Sequence, residues 1–180
     1  MRFPPGKAEF ESMRTLILFR HAKAVRLHEA QSDKARGLTG RGRRDSAAAG
    51  AAMADAGLKP ALALVSTAQR TRETAEFALQ SFALETRCEE ALYHASPEGI
   101  WDAFSAGDAE SLIIVGHNPG VGELVTMLVH QAHDGSKLAR EFSGHFPTAA
   151  WAAFEVKGDL MRAAGPRLLA AWKPLRDRDD

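Results

Sequence analysis

A single cysteine, Cys88, stands among the 180 residues, which excludes an intrachain disulfide framework and a cysteine-rich zinc site. The expected state of that residue is a buried bystander thiol in a reducing compartment. Long apolar stretches are missing as well: the densest, Leu62 to Val65, is far short of the roughly 18 apolar residues that a membrane helix needs. Net charge is absent, because 23 Lys plus Arg balance 23 Asp plus Glu, so no whole-molecule field points to nucleic acid or a membrane surface. Internal repeats and low-complexity blocks are lacking too. What remains is a globular composition, 45% hydrophobic and 26% charged, in a length that fits one domain. A soluble, cytoplasmic protein is expected, and with no sequence sign of an apolar edge the monomer is favoured.

Residues 1–13 carry Pro4, Pro5, Gly6 and mixed charge, which predicts a flexible N-terminal tail, with Met13 as an alternative start of translation. Thr15 to Phe19 is a short run of branched and aromatic residues, suited to a strand covered on both faces. The polar segment from Arg26 to Gly42 reads mostly as loop. Small apolar residues at helical spacing predict a helix over 41–56, closed by Gly57 as its C-cap. Leu62 to Val65 predicts a second covered strand, followed by a helix over 68–82 that Ser66 or Thr67 would cap. Ala91 to Tyr93 is too brief to classify. Ser96 and Pro97 read as the N-cap and first residue of a helix through Phe104, Leu112 to Val115 as the third strand, and Val121 to Val129 as a further helix. After a stretch over 131–146 with no clear pattern, Trp151 to Val156 predicts a strand ending in a Gly158-Asp159 turn, and Leu168 to Trp172 its partner or a short helix. The alternation predicts an α/β fold: a three-layer sandwich with a mostly parallel central sheet, helices on both faces and a late antiparallel edge. The domain is expected over 14–174, with a polar tail over 175–180.

In open α/β sheets, ligands bind beyond the carboxyl ends of the strands, where helix N-termini also point. Three predicted strands end there in chemically loaded residues: Arg20 and His21, then Ser66 with Arg70 one helical turn on, then His117 and Asn118. Two arginines and two histidines in one pocket repel each other unless an anion sits between them, and phosphate is the candidate. The planar guanidinium fork takes two phosphoryl oxygens at once, so Arg20 and Arg70 suit the equatorial oxygens of a phosphoryl group in transfer. A histidine attacks phosphorus through one ring nitrogen when a carbonyl or carboxylate holds the proton on the other, and this role falls to His21. His117 would donate a hydrogen bond to a phosphoryl oxygen. His28, His94, His130, His133 and His145 show no persuasive ligand spacing with one another or with Cys88, so no metal is expected and these residues are placed at the surface or behind the site.

Leu16-Ile17-Leu18-Phe19-Arg20-His21-Ala22 resembles the opening signature of the histidine phosphatase superfamily, the phosphoglycerate mutase-like family, with Ala22 where glycine is commoner. Val65-Ser66-Thr67-Ala68-Gln69-Arg70-Thr71-Arg72-Glu73-Thr74-Ala75 resembles its second arginine segment, and Val115-Gly116-His117-Asn118-Pro119-Gly120 its second histidine segment. Asp33-Lys34-Ala35-Arg36-Gly37-Leu38-Thr39 with Gly42, the Leu92-Tyr93 pair, and Phe146-Pro147-Thr148-Ala149 are similar to the SixA branch. The resemblance spans about Arg14 to Pro174. It implies a phosphoglycerate mutase-like fold, a phosphatase without metal or cofactor, a transient phosphohistidine at His21, a clamp of Arg20 and Arg70, and His117 as the last member of the pocket. The SixA branch is associated with phosphorylated histidine phosphotransfer domains, other branches with small phosphomonoesters such as phosphosugars and phosphoglycerate.

The proton donor to the leaving group stays open. Other branches take it from a glutamate before the second histidine or an aspartate just after it, where this chain has Asn118, which cannot act as an acid. Glu90 is the alternative by order, and Asp33 is preferred because it matches an acidic SixA position on the loop after His21. An imidazole leaving group needs little acid help. Ser66 is read either as a phosphate donor or as an N-cap, Thr148 carries the same ambiguity, and Asn118 is a further phosphate contact. Asp33 and Arg36 could instead simply pair, and Arg41, Arg43 and Arg44 read as a solvated helix start, with steering of an acidic partner as the alternative. Trp101, Trp151 and Trp172 read as packing residues. The leading expectation is hydrolysis through phosphohistidine at His21 on a phosphorylated protein. The alternatives are a small-molecule phosphatase or mutase, and a non-catalytic phosphate- or phosphoprotein-binding module.

Overall fold

A computed structural model describes residues 13–132, 135, 137–142, 145–157 and 165–175. Of the tails expected over 1–13 and 175–180, residues 1–12 and 176–180 lie outside the described residues, as do the Gly158-Asp159 turn and His133. In chain order the elements are β1 (Arg14–Arg20), α1 (Gly40–Asp55), β2 (Leu62–Ser66), α2 (Gln69–Leu79), β3 (Glu85–Glu89), α3 (Pro97–Ala106), β4 (Ser111–Gly116), α4 (Gly120–Gln131), α5 (Lys137–Phe142), β5 (Trp151–Val156) and β6 (Arg167–Trp172). Short 3-10 turns lie at Leu27–Glu29 and Glu90–Leu92. The six strands form one sheet in the order β3-β2-β4-β1-β5-β6. Four of them, β1 to β4, run parallel, and β5 is antiparallel to both β1 and β6, so β5 alone is reversed.

The strand sequences follow from this double cover. Leu16, Ile17, Leu18 and Phe19 are all fully buried, although alternate residues face opposite sides of the sheet. Leu16 and Leu18 pack in a cluster with Ile100, Phe104 and Leu124 of α3 and α4, whereas Ile17 and Phe19 pack with Ala49 and Met53 of α1 and Ala78 of α2. Each such side chain contributes about 1.5–3 kcal/mol on full burial, so a strand between two helical layers is stabilised by apolar residues at every position. Trp101 and Trp151 belong to this packing, and the Trp151 Nε1–H donates to the Ala49 carbonyl at 3.1 Å. Trp172 is half-buried on the β6 edge.

Several end signals act as expected. Gly57 closes α1 at φ +72°, a conformation that favours glycine, and Thr39 Oγ1 caps its start by accepting from the Gly42 N–H at 3.0 Å. Ser96 accepts from the Gly99 N–H at 3.2 Å, with Pro97 in the first turn of α3. Other readings change. β3 was not visible in the sequence because Glu-Thr-Arg-Cys-Glu is an exposed, charged edge strand, and Cys88 on it is therefore exposed rather than a buried thiol. Neither Ser66 nor Thr67 caps α2. Ser66 ends β2, and Ala68 precedes the helix without a side-chain cap. The 131–146 stretch contains α5, and Leu168 to Trp172 forms a strand rather than a helix because its backbone pairs with β5. Arg41 pairs with Asp45 at 3.4 Å and Arg43 with Glu73 at 3.9 Å, as suits a solvated helix start. Among the described residues, no helix is long and apolar enough to cross a membrane.

The α1 and α2 helices cross at Gly50, where an added Cβ would come within 2.0 Å of the Ala78 carbonyl oxygen. Backbone cannot yield as a flexible side chain can. Gly50→Ala should therefore destabilise the fold by about 1–3 kcal/mol, read as an earlier midpoint in urea unfolding. An unchanged midpoint would contradict the tight crossing.

Candidate active site

Register brings the two histidines together. β1 and β4 pair in parallel with Arg20 opposite Gly116, so the residues that follow, His21 and His117, leave the sheet side by side. Their ring centroids are 5.2 Å apart at an interplanar angle of 60°. On the other side of β4, Val65 lies opposite Val115, which sets Ser66 beside the same strand end. Arg70 reaches the cavity from the first turn of α2. The cavity holds about 320 Å³, and Asp33, Asn118 and Thr148 also line it.

His21 Nδ1 lies 2.8 Å from the Ala22 carbonyl oxygen. A carbonyl only accepts, so the proton sits on Nδ1 and Nε2 keeps its lone pair. Burial, followed by the nearby His117, Arg70 and Arg20, pushes the His21 pKa down to about 3, against a helping bond to Ala22. The ring is therefore neutral at physiological pH. Its backbone is held as well: the His21 N–H donates to the Gly116 carbonyl at 3.1 Å, and the Ala149 N–H donates to the His21 carbonyl at 3.2 Å.

His117 is buried, and desolvation with the neighbouring Arg70 and His94 lowers its pKa to about 3. Its Nε2 lies 2.8 Å from Ser66 Oγ. When Ser66 donates, the neutral ring carries its proton on Nδ1. That atom is buried with no protein partner, as are Arg20 Nε and Arg70 Nε. Leaving such groups unpaired costs about 1–3 kcal/mol each, so this cluster suits an acceptor-rich guest.

The arginines are anchored by fixed acceptors of the protein. Arg20 Nη1 donates to the Phe146 carbonyl at 2.7 Å. Arg70 is buried and donates from Nη1 to the Asp33 carbonyl at 2.6 Å and from Nη2 to Asp33 Oδ2 at 2.9 Å. Asp33 does pair with Arg36, at 2.9 Å through Oδ1, and also accepts from the Tyr93 hydroxyl at 2.8 Å. Although partial burial works to raise the Asp33 pKa, these bonds from Arg36, Tyr93 and Arg70 hold it well below the usual carboxylate value. Every contact of this carboxyl is an accepted one, an arrangement that orients Arg70 and runs against a donor of protons.

Other candidates separate from this group. Asn118 lines the cavity, yet its Nδ2 donates to the Phe146 carbonyl at 3.0 Å and its Oδ1 accepts from the Gly122 N–H at 3.2 Å, so its amide ties the β4–α4 loop in place. Ser66 supports His117 instead of lining the cavity. Glu90 stands outside it, 2.5 Å from Lys34 Nζ and 2.6 Å from the donating Thr67 hydroxyl. Those two partners line a larger cleft of about 1000 Å³ beside α2 and β3, which has no convergent arginine-histidine set. His94, assigned by sequence to the surface or to a place behind the site, lines the cavity and stacks on His117 with centroids 5.1 Å apart. Its place beside the Leu92-Tyr93 pair was the available signal. Among the described residues, no group of three or more metal-ligating side chains is assembled.

The lowered histidine pKa values set a pH dependence. Unfolded histidines take up protons near 6.5, whereas folded His21 and His117 do so only near 3. The unfolded chain thus binds more protons in that window, and stability present above it is lost as pH falls through it. Tm should drop between pH 7 and pH 4, and the drop should be shallower in His117→Gln; equal slopes in both proteins would contradict the neutral buried ring.

Residues 16–97 match the model of the histidine phosphatase superfamily (branch 1). No curated protein sequence matches. The fold is similar to that of a candidate phosphohistidine phosphatase SixA from Nakamurella multipartitia, at 29% identity and a TM-score of 0.78, over 93% of this chain and 99% of that one. A second SixA candidate, from Agrobacterium tumefaciens, is 26% identical with a TM-score of 0.75, over 89% and 98% of the two chains. The protein histidine phosphatase SixA in complex with tungstate shares the fold, with a TM-score of 0.67 at 22% identity over 87% and 95%. Arg20, His21 and Arg70 lie inside the segment that matches the histidine phosphatase superfamily model, the SixA-type fold is shared along nearly the whole chain, and this protein is a phosphatase.

Proposed function

We propose that this protein removes phosphate from phosphohistidine side chains of phosphotransfer proteins, through a covalent phosphohistidine at His21. The observation that carries the reading is the bond from His21 Nδ1–H to the Ala22 carbonyl, which leaves Nε2 as a neutral nucleophile beside His117 and two buried-edge arginines. Nε2 attacks phosphorus as the bond to the departing group breaks. Arg20 and Arg70 hold the phosphoryl oxygens while charge builds, with Asp33 fixing the plane of Arg70. His117 donates a further hydrogen bond and Ser66 orients its ring. Water then cleaves the His21–phosphorus bond and releases phosphate.

A protein-borne substrate is supported by the chain's similarity to SixA-type relatives over nearly their full length. It is also supported by a cavity whose wall includes the exposed side chain of His94, so that the mouth can admit an imidazole carried on another surface. An exposed, free Cys88 suits a reducing compartment.

Replacing His21 by Ala should lower turnover by at least about 1000-fold and abolish phosphoenzyme labelling while tungstate still binds. Retained turnover would remove the mechanism, and an unlabelled, inactive wild-type protein that still binds tungstate would favour a binding module. EDTA should leave the rate unchanged. Comparison of kcat/KM on a phosphorylated histidine phosphotransfer domain with that on phosphosugars and phosphoglycerate decides the substrate, and a higher value on the small esters would overturn the protein-directed reading.

A further inference from the structure

The cavity assembles a nucleophile and a phosphate cradle, and the departing group still needs a proton. Asp33 is an acceptor at both carboxyl oxygens, to Arg36, Arg70 and the Tyr93 hydroxyl. Glu90 stands outside the cavity, bonded to Lys34 and Thr67. Arginine and lysine side chains keep their protons near neutrality, so none on the wall can give one up and take it back. Among the described residues that line the cavity, one imidazole beyond His21 and His117 remains, that of His94.

Its position suits the task. The His117 and Arg70 side chains are buried, the latter 3% exposed, whereas that of His94 is 52% exposed and lines the solvent side of the cavity. The ring is held on two sides: it stacks on His117, and it meets the Tyr93 ring edge-on with centroids 4.4 Å apart. His94 Nε2 lies 3.5 Å from Asp33 Oδ2, so the carboxylate faces one ring nitrogen and Nδ1 is left without a protein partner. The backbone is unusual at the same residue, with φ +53°, a left-handed conformation that few non-glycine residues adopt and that persists where the surroundings enforce it. Those surroundings include Gly120, where a Cβ would lie 2.0 Å from the Ala95 carbonyl oxygen, so the start of α4 holds the segment carrying His94 over the cavity.

We infer that His94 is the proton donor to the leaving group, oriented by Asp33. The inference rests on the phosphohistidine reading above. In the first step His21 Nε2 bonds to phosphorus, the bond from phosphorus to the leaving oxygen or nitrogen breaks, and the proton on His94 Nδ1 passes to that atom. In the second, neutral His94 takes a proton from the attacking water as the His21–phosphorus bond breaks, which restores both rings and yields inorganic phosphate. Imidazole serves as acid and then base without any change of partner.

The test uses two aryl esters that differ in their need for a proton, phenyl phosphate and p-nitrophenyl phosphate, with wild type, His94→Gln and His94→Asn. Asparagine tolerates the left-handed backbone, so that variant keeps the local fold. kcat/KM should fall by about 100-fold or more on phenyl phosphate but by no more than about fivefold on p-nitrophenyl phosphate, because the nitrophenolate departs unprotonated. Equal losses on the two esters, or no loss on either, would overturn the inference while wild-type His21 still labels. A wild-type protein that hydrolyses both esters with no phosphate on His21 would overturn the underlying reading, and this one with it.

Discussion

The parallel pairing of β1 with β4 in the register that sets Arg20 opposite Gly116 is the constraint on which the rest of the site depends. Both strands are buried on two faces by separate helical layers, so a shift of one residue would turn Arg20 and every apolar neighbour to the opposite layer. The register therefore follows from the core, and the side-by-side exit of His21 and His117 follows from the register. Further backbone bonds from His21 to Gly116 and from Ala149 to His21 extend that pairing past the end of the sheet.

Electrostatics at this point is governed by burial. A pocket of two arginines and two histidines would be strongly repulsive if all were charged, but desolvation keeps both rings neutral. Arg70 meets a carboxylate on the cavity wall, Asp33, and Arg20 meets a carbonyl. Positive charge is thus present but already oriented, and the neutral His21 keeps the lone pair that a nucleophile requires. The same bonds that orient Arg70 favour the ionised form of Asp33, so the carboxylate serves as its counter-ion.

The loops complete what the sheet begins. The Phe146 carbonyl accepts from both Arg20 and Asn118, which joins the end of β1 to the start of α4 through a segment far from either in sequence. The Tyr93-His94-Ala95 segment closes over the other side, with Tyr93 bonded to Asp33 and Ala95 against Gly120. Two chain segments of irregular structure thereby fix side chains that regular elements alone would leave unplaced.

The sequence by itself determined the layered α/β fold, β1, β2, β4 and β5, and the positions of Arg20, His21, Arg70 and His117 at strand or helix ends, because buried parallel strands require unbroken apolar runs and ligands gather where such runs stop. It also carried the caps at Gly57 and Ser96, whose signals are local. Tertiary structure alone decided the rest. The charged edge strand β3 and the exposure of Cys88 depend on which neighbour covers them, and Ser66 turns from cap to support because His117 stands across from it. Asp33 becomes a counter-ion, Glu90 stands outside the cavity, and His94 enters it, since each outcome depends on partners from 23 to 61 residues away that no local pattern specifies.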